Sequence, residues 1–225
     1  MAVHSLLEEA LALYREVGDK SRITNYFTLS ARLALSQDDM ATARRLAVEG
    51  VALNRELGDQ QDIAQSLSVL GEVEARQENY ASARSLYEES LAIARKRGDK
   101  RSIAFYQEAF ASVVAAQGEL TWAARLWGAA EVLREAIGAP RPPFECVSYK
   151  RSVDAARTQL GEKYFAAAWA EGRAMTPEQA LDAKGPVTIP QLLSTASSPA
   201  APVKPAVAYR DGLTAREVEV LRLLA

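Results

Sequence analysis

The chain has 225 residues, 48% of them hydrophobic and 25% charged, with a formal net charge of -2. That balance fits a globular domain able to bury a substantial core, and it gives no broad electrostatic pull toward nucleic acid or an acidic membrane surface, so any DNA contact has to be local. The one cysteine, Cys146, excludes a disulfide framework and any CxxC metal or redox site; no apolar run is long enough for a bilayer and Met1 opens no signal pattern, so a cytoplasmic location is expected.

The first element is an amphipathic helix around Ser5 to Leu13, SLLEEALAL, which aligns with SLYEESLAI at Ser85 to Ile93 two periods later. The period is explicit in REVGDKSRI (Arg15 to Ile23), RELGDQQDI (Arg55 to Ile63) and RKRGDKRSI (Arg95 to Ile103). Gly18, Gly58, Gly98 and Gly138 are each 40 residues apart; Gln37, Gln77 and Gln117, Ala43, Ala83 and Ala123, and Leu46, Leu86 and Leu126 keep the same spacing. Each unit divides into two helices. Ala83, Leu86, Tyr87, Ser90, Leu91 and Ala94 fall on one face of the second, opposite Arg84, Glu88 and Glu89. The glycine suits the left-handed end of that helix, and Asp19, Asp59 and Asp99 are placed to cap the next.

Three columns of small residues predict close helix approach: Ala31, Gly71 and Ala111 on the first helix, then Ala43, Ala83 and Ala123, and Ala10, Gly50, Ser90 and Ala130 on the second. Bulky Tyr87 and Trp127 follow four positions after the second column, where the first full unit has only Ala47 and looser packing is expected. This alternation over residues 1–138 resembles the tetratricopeptide repeat, with about six residues beyond its common length of roughly 34. The resemblance implies an all-α, right-handed array of helix pairs, an α-α superhelix, whose first helices line a concave face. The alignment of the first stretch with a second helix leads us to expect an incomplete first unit in a piece of a longer protein.

GAPRPPFE interrupts the fourth turn with Pro140, Pro142 and Pro143, and proline cannot continue a regular helix. Val147, Val153, Ala156 and Leu160 then predict a helix with an inward stripe, EKYFAAAWAEGRAM predicts another, and Thr176, Pro177, Glu178 and Gln179 cap a short last one. Residues 139–181 are thus expected to form an atypical terminal unit closing the core. Five of the nine prolines lie between Asp182 and Gly212 among Ser, Ala and Thr, so residues 182–212 read as a flexible linker.

No catalytic constellation emerges, and the chain is expected not to be an enzyme. His4 stands alone near the start, Cys146 reads as a buried structural thiol, and Glu8, Glu9, Glu88 and Glu89 read as solvated charges. GEKY at Gly161 lacks phosphate-loop spacing, and Trp122, Trp127 and Trp169 read as core residues. No cofactor or metal site is expected in this chain.

At the C-terminal end, Thr214 and Glu217 form a capping box ahead of an apolar stripe of Val218, Leu221, Leu224 and Ala225. LTAREVEVLRLLA resembles the opening of the LuxR-type helix-turn-helix domain, L-T-x-R-E-x-E-V-L, through Leu213, Thr214, Arg216, Glu217, Glu219, Val220 and Leu221. The stretches from Arg125 to Glu145 and from Phe165 to Leu181 resemble the region preceding that domain in large multidomain LuxR-type regulators. The resemblance implies a nucleotide-binding domain of the STAND type, or another sensor, upstream of the repeats. It also implies that residues 213–225 begin the first helix of a DNA-binding domain whose recognition helix lies further on, so this chain alone is not expected to read DNA.

The expected function is the regulatory and protein-interaction segment of such a regulator, and the alternative is a free-standing adaptor that scaffolds partners. The predicted concave face comprises Asn25, Thr28, Arg32, Gln65, Ser68, Glu72, Phe105 and Glu108. Expected partners are a protein or peptide on the array, with a second copy of the chain among the candidates, and DNA only through the complete downstream domain. No membrane partner is expected.

Overall fold

The computed structural model describes residues 2–187, and the side chains of all of these except 2–5 and 143–145. The linker beyond residue 187 and the predicted tail helix with Leu213, Thr214, Arg216, Glu217, Val220 and Leu221 lie outside the described residues, as does the His4 side chain. Among the described residues the chain forms ten helices and no strand. They are α1 (Ala2–Val17), α2 (Lys20–Ser36), α3 (Met40–Leu57), α4 (Gln60–Arg76), α5 (Tyr80–Arg97), α6 (Lys100–Ala116), α7 (Leu120–Ala136), α8 (Pro143–Leu160), α9 (Glu162–Arg173) and α10 (Pro177–Asp182). From α1 to α7 each helix packs on the next, and α2 also touches α4 and α4 touches α6, as stacked helix pairs require.

Two kinds of turn recur. Between units the glycine takes a left-handed conformation, with φ of 74° at Gly18, 77° at Gly58 and 68° at Gly98. The following aspartate then accepts backbone amides of the new helix: Asp19 from Arg22 at 3.1 Å, Asp59 from Gln61 at 2.8 Å and Asp99 from Ser102 at 3.1 Å. Both roles are those predicted for the Gly-Asp pair. Within each unit a second left-handed residue follows the glutamine, namely Asp38 (φ 61°), Glu78 (φ 62°) and Gly118 (φ 88°). The amide of the residue after it reaches back to a carbonyl of the finished helix, for example Asn79 to Glu74 at 2.9 Å. This second turn escaped the sequence reading because only its third copy carries glycine.

The small-residue columns form the helix contacts. Ala31, Ala111, Ala43, Ala83, Ala123 and Ala130 are completely inaccessible. At Gly71 a β-carbon would lie 3.1 Å from the Tyr87 ring, so the glycine on α4 makes the room that the tyrosine of α5 fills. Tyr87 and Trp127 are buried, and Ala47 at the equivalent position is buried as well.

Helices α8, α9 and α10 join the core of the last repeats. Val153, Ala156, Phe165, Ala168 and Ala180 belong to one cluster with Phe110, Trp122 and Trp127. Several sequence expectations change here. Val147 is 66% exposed rather than part of an inward stripe, since it borders an open groove instead of the packed core. Cys146 is half-buried, its thiol donating to the Pro142 carbonyl at 3.4 Å, and Trp169 is half-buried with its indole N–H on Glu131. The segment expected to be a free linker from Asp182 onward is held at its start. Arg125 donates to the carbonyls of Ala183 (3.0 Å), Gly185 (2.7 Å) and Pro186 (2.7 Å), and the Lys184 ammonium lies 4.7 Å from the Trp122 ring centre.

Candidate functional site

A groove of about 950 Å³ runs across the inner ends of α2, α4 and α6 and is walled on its far side by the α7–α8 turn and α8. Five predicted residues face it: Arg32, Ser68, Glu72, Phe105 and Glu108. Asn25, Thr28 and Gln65 do not. The reason is a displacement of about one helical turn. On α2 and α4 the groove lies toward the C-terminal ends, at Arg32, Leu35 and Ser36 and at Glu72, Ala75 and Arg76, whereas on α6 it runs from Phe105 to Ala116. Asn25 is left exposed beyond it. Thr28 and Ser68 are buried, their hydroxyls donating to the Thr24 and Gln65 carbonyls one turn back.

Glu108 stands at the same repeat position as Thr28 and Ser68 but has a different environment. It is 5% exposed, and Arg134 of α7 grips both of its oxygens at 2.8 Å. Arg141 adds a bond at 2.5 Å and lies with its guanidinium carbon 3.3 Å from the Tyr149 ring centre. Glu108 therefore joins α6 to the end of α7 and the start of α8, and its charge is already matched inside the protein. The sequence placed it on the open face because its partners lie 26 and 33 residues away, beyond any local pattern.

The remaining groove charges are arranged differently. Arg76 bonds Glu72 at 2.9 Å and donates to the Leu35 carbonyl at 2.8 Å, bridging α4 to the C-terminal end of α2, where a cation is favoured. Arg32 has no carboxylate at ion-pair distance among the described residues; its Nε is buried without a hydrogen-bond partner and its guanidinium carbon is 5.9 Å from the Phe105 ring centre. Burial pushes the Tyr87 phenol well up, and nearby Glu72 adds to the effect, so the hydroxyl stays protonated. Burial raises Tyr149 likewise. Arg76, Tyr80, Tyr87, Arg141, Val147 and Tyr149 also line the groove and were not foreseen. Ser36, Arg76 and Ala116 do fall at the repeat period, one turn beyond the predicted columns, so that row was detectable; the α8 wall was not.

Polar side chains, charges of both signs and aromatic faces in one groove can engage side chains and backbone of a bound segment. Among the described residues no group of three or more His, Cys, Asp or Glu is placed to hold a metal ion, and no helix is long and apolar enough to cross a membrane.

A family model described as Tetratricopeptide repeat matches residues 28–96 and again residues 62–126. No curated protein matches the chain. With the helix pairs, the period and the small-residue contacts already in view, residues 28–126 are tetratricopeptide repeats, the units of a protein-interaction scaffold.

Proposed function

We propose that this chain is the regulatory and protein-interaction segment of a LuxR-type DNA-binding transcriptional regulator, working in the cytoplasm and binding its partner in the groove of the repeat array. The observation that carries the regulator reading is the succession along the chain. Tetratricopeptide repeats over residues 28–126 are followed by a helical terminal unit, a proline-rich stretch and the L-T-x-R-E-x-E-V-L resemblance at Leu213 to Leu221. The groove reading is supported by its position across three successive units and by its mixture of aromatic, apolar and charged side chains. DNA would be contacted only by a complete helix-turn-helix domain, in which a second helix enters the major groove.

Replacing Arg32, Glu72 and Phe105 together by alanine in the intact regulator tests the proposal. Helicity and DNA binding should persist while partner binding and induced transcription fall. Unchanged transcription would remove the groove from the regulatory step. Absence of any DNA binding by the protein encoded by the whole gene would remove the regulator reading and leave the adaptor.

A further inference from the structure

Resting on the groove as the interaction site, we infer that its occupant is an acidic peptide segment of a partner protein, anchored by a carboxylate on Arg32 beside Phe105. Arg32 presents a planar cation from α2, and a buried N–H without an acceptor is a defect that folded proteins seldom retain. Turned toward the groove, the guanidinium would satisfy it on an incoming carboxylate through paired, charge-assisted bonds. The surroundings favour the same charge. Four arginines and two glutamates line the groove, and both glutamates are engaged within the protein, Glu72 by Arg76 and Glu108 by Arg134 and Arg141. Arg151 on the far wall makes no ion pair among the described residues. The groove is thus locally positive in a chain whose net charge is -2. A cleft in which cations outnumber carboxylates, and the carboxylates are already paired, draws ligands of negative charge.

Apolar surface lies within the same groove at Ala109 and at Val147, which is 66% exposed, with Leu35 and Val113 closing its floor. The matching segment carries an acidic side chain for Arg32 and apolar side chains beside it. A nucleic acid would fit less well, because two glutamates and apolar side chains interrupt the arginines of the groove and leave no continuous path for phosphates.

The test uses the full chain and fluorescence anisotropy with a short labelled peptide alternating Asp or Glu with Leu or Val, and a twin carrying Asn and Gln in place of the acids. The acidic peptide should bind at least about tenfold more tightly at low salt, with the advantage shrinking as salt rises. Arg32→Gln should abolish most of that advantage and Arg32→Lys should keep part of it, with unchanged circular dichroism and melting showing that both variants fold. Equal binding of the twins, or an acid preference that survives Arg32→Gln, would overturn the inference while leaving the groove a peptide site. Failure of both peptides to bind would remove the groove reading as well. Displacement of the probe by a synthetic copy of residues 188–225, or dimerisation lost in Arg32→Gln, would assign the groove to this chain itself and overturn the partner.

Discussion

Gly172 of α9 lies directly against the backbone of Arg125 on α7: a β-carbon at Gly172 would sit 2.1 Å from the Arg125 carbonyl oxygen and 2.6 Å from its α-carbon. The contact is reciprocated, since a β-carbon at Gly128 would lie 2.4 Å from the Trp169 carbonyl oxygen. Alanine in a helix interior normally gains about 1 kcal/mol over glycine. Here the obstruction is backbone on both sides, which cannot rotate away. Gly172→Ala should therefore destabilise the fold by about 2–4 kcal/mol, against the propensity trend. Thermal unfolding should show a midpoint lower by roughly 5–10 °C. A midpoint equal to or above wild type would mean that α9 does not sit this closely on α7.

Arg125 is 5% exposed and ties α7 to Glu171 at 2.7 Å as well as to three carbonyls beyond α10. Methionine keeps much of its volume and none of its donors. Arg125→Met should cost about 3–5 kcal/mol, the scale for removing one partner of a buried ion pair. Release of residues 183–187 should appear as faster trypsin cleavage after Lys184, followed by mass spectrometry under native conditions. An unchanged cleavage rate would show that the segment is held by other contacts.

The repeat was legible because each copy repeats the same local chemistry. Gly58 needs only its own left-handed backbone, and Asp59 needs only amides two and three residues on. The small-residue columns could be read because identical neighbours recur at a fixed distance. The α7–α9 crossing, the Arg125 contacts and the Glu108 cluster join unlike elements once each, so no periodicity marks them. The candidate face was found by repeat column but displaced by a turn on α2 and α4, because its position depends on where α8 stands opposite them. Residues 213–225 carried the short resemblance to the opening of a helix-turn-helix domain and lie outside the described residues.

Glu78 holds a left-handed backbone at φ 62°, where Gly118 stands in the next unit. A non-glycine residue there costs on the order of 1 kcal/mol, partly offset by the smaller chain entropy of the unfolded state. Glu78→Gly should stabilise the protein by about 0.5 kcal/mol, and Asp38→Gly by less, because aspartate tolerates this conformation better. Chemical denaturation at neutral pH measures both. Destabilisation by Glu78→Gly would indicate that its side chain contributes more than its backbone costs.

Asp39, which caps α3 by accepting the Thr42 amide at 3.0 Å, and Asp99, which caps α6, respond to acid in a defined direction. The backbone and side-chain hydrogen bonds of Thr42 hold Asp39 below the usual carboxylate range. At Asp99 burial pushes upward, but the bonds from Ser102 prevail and the carboxyl again ends low. A folded-state value below the unfolded one of about 3.9 means that this stabilisation is fully present above that pH and is lost as pH falls through the depressed values. Asparagine caps without titrating. Asp39→Asn with Asp99→Asn should therefore flatten the decline of stability between about pH 4 and pH 2, measured by urea unfolding. An unchanged acid slope would mean that other carboxylates govern it.

Glu108 lies between Arg134 and Arg141, and the three groups define how α8 meets α6 and α7. Glu108→Gln keeps the shape but removes the charge facing two cations, one of them, Arg134, only 8% exposed. Truncating one partner of a buried pair typically costs about 3–5 kcal/mol, most of it the penalty on the charge left behind. Combining Glu108→Gln with Arg134→Met should therefore be less damaging than the sum of the two single changes, by about 1–3 kcal/mol in a double-mutant cycle. The same cycle with Arg141→Met should show a smaller coupling, because Arg141 is more exposed and keeps its stack on Tyr149. Hydrogen exchange should locate the loosening in α8, with α2 and α3 unaffected. Additive effects at Glu108 and Arg134 would mean that the pair contributes through shape alone, and the cluster would lose its role in fixing the far wall of the groove.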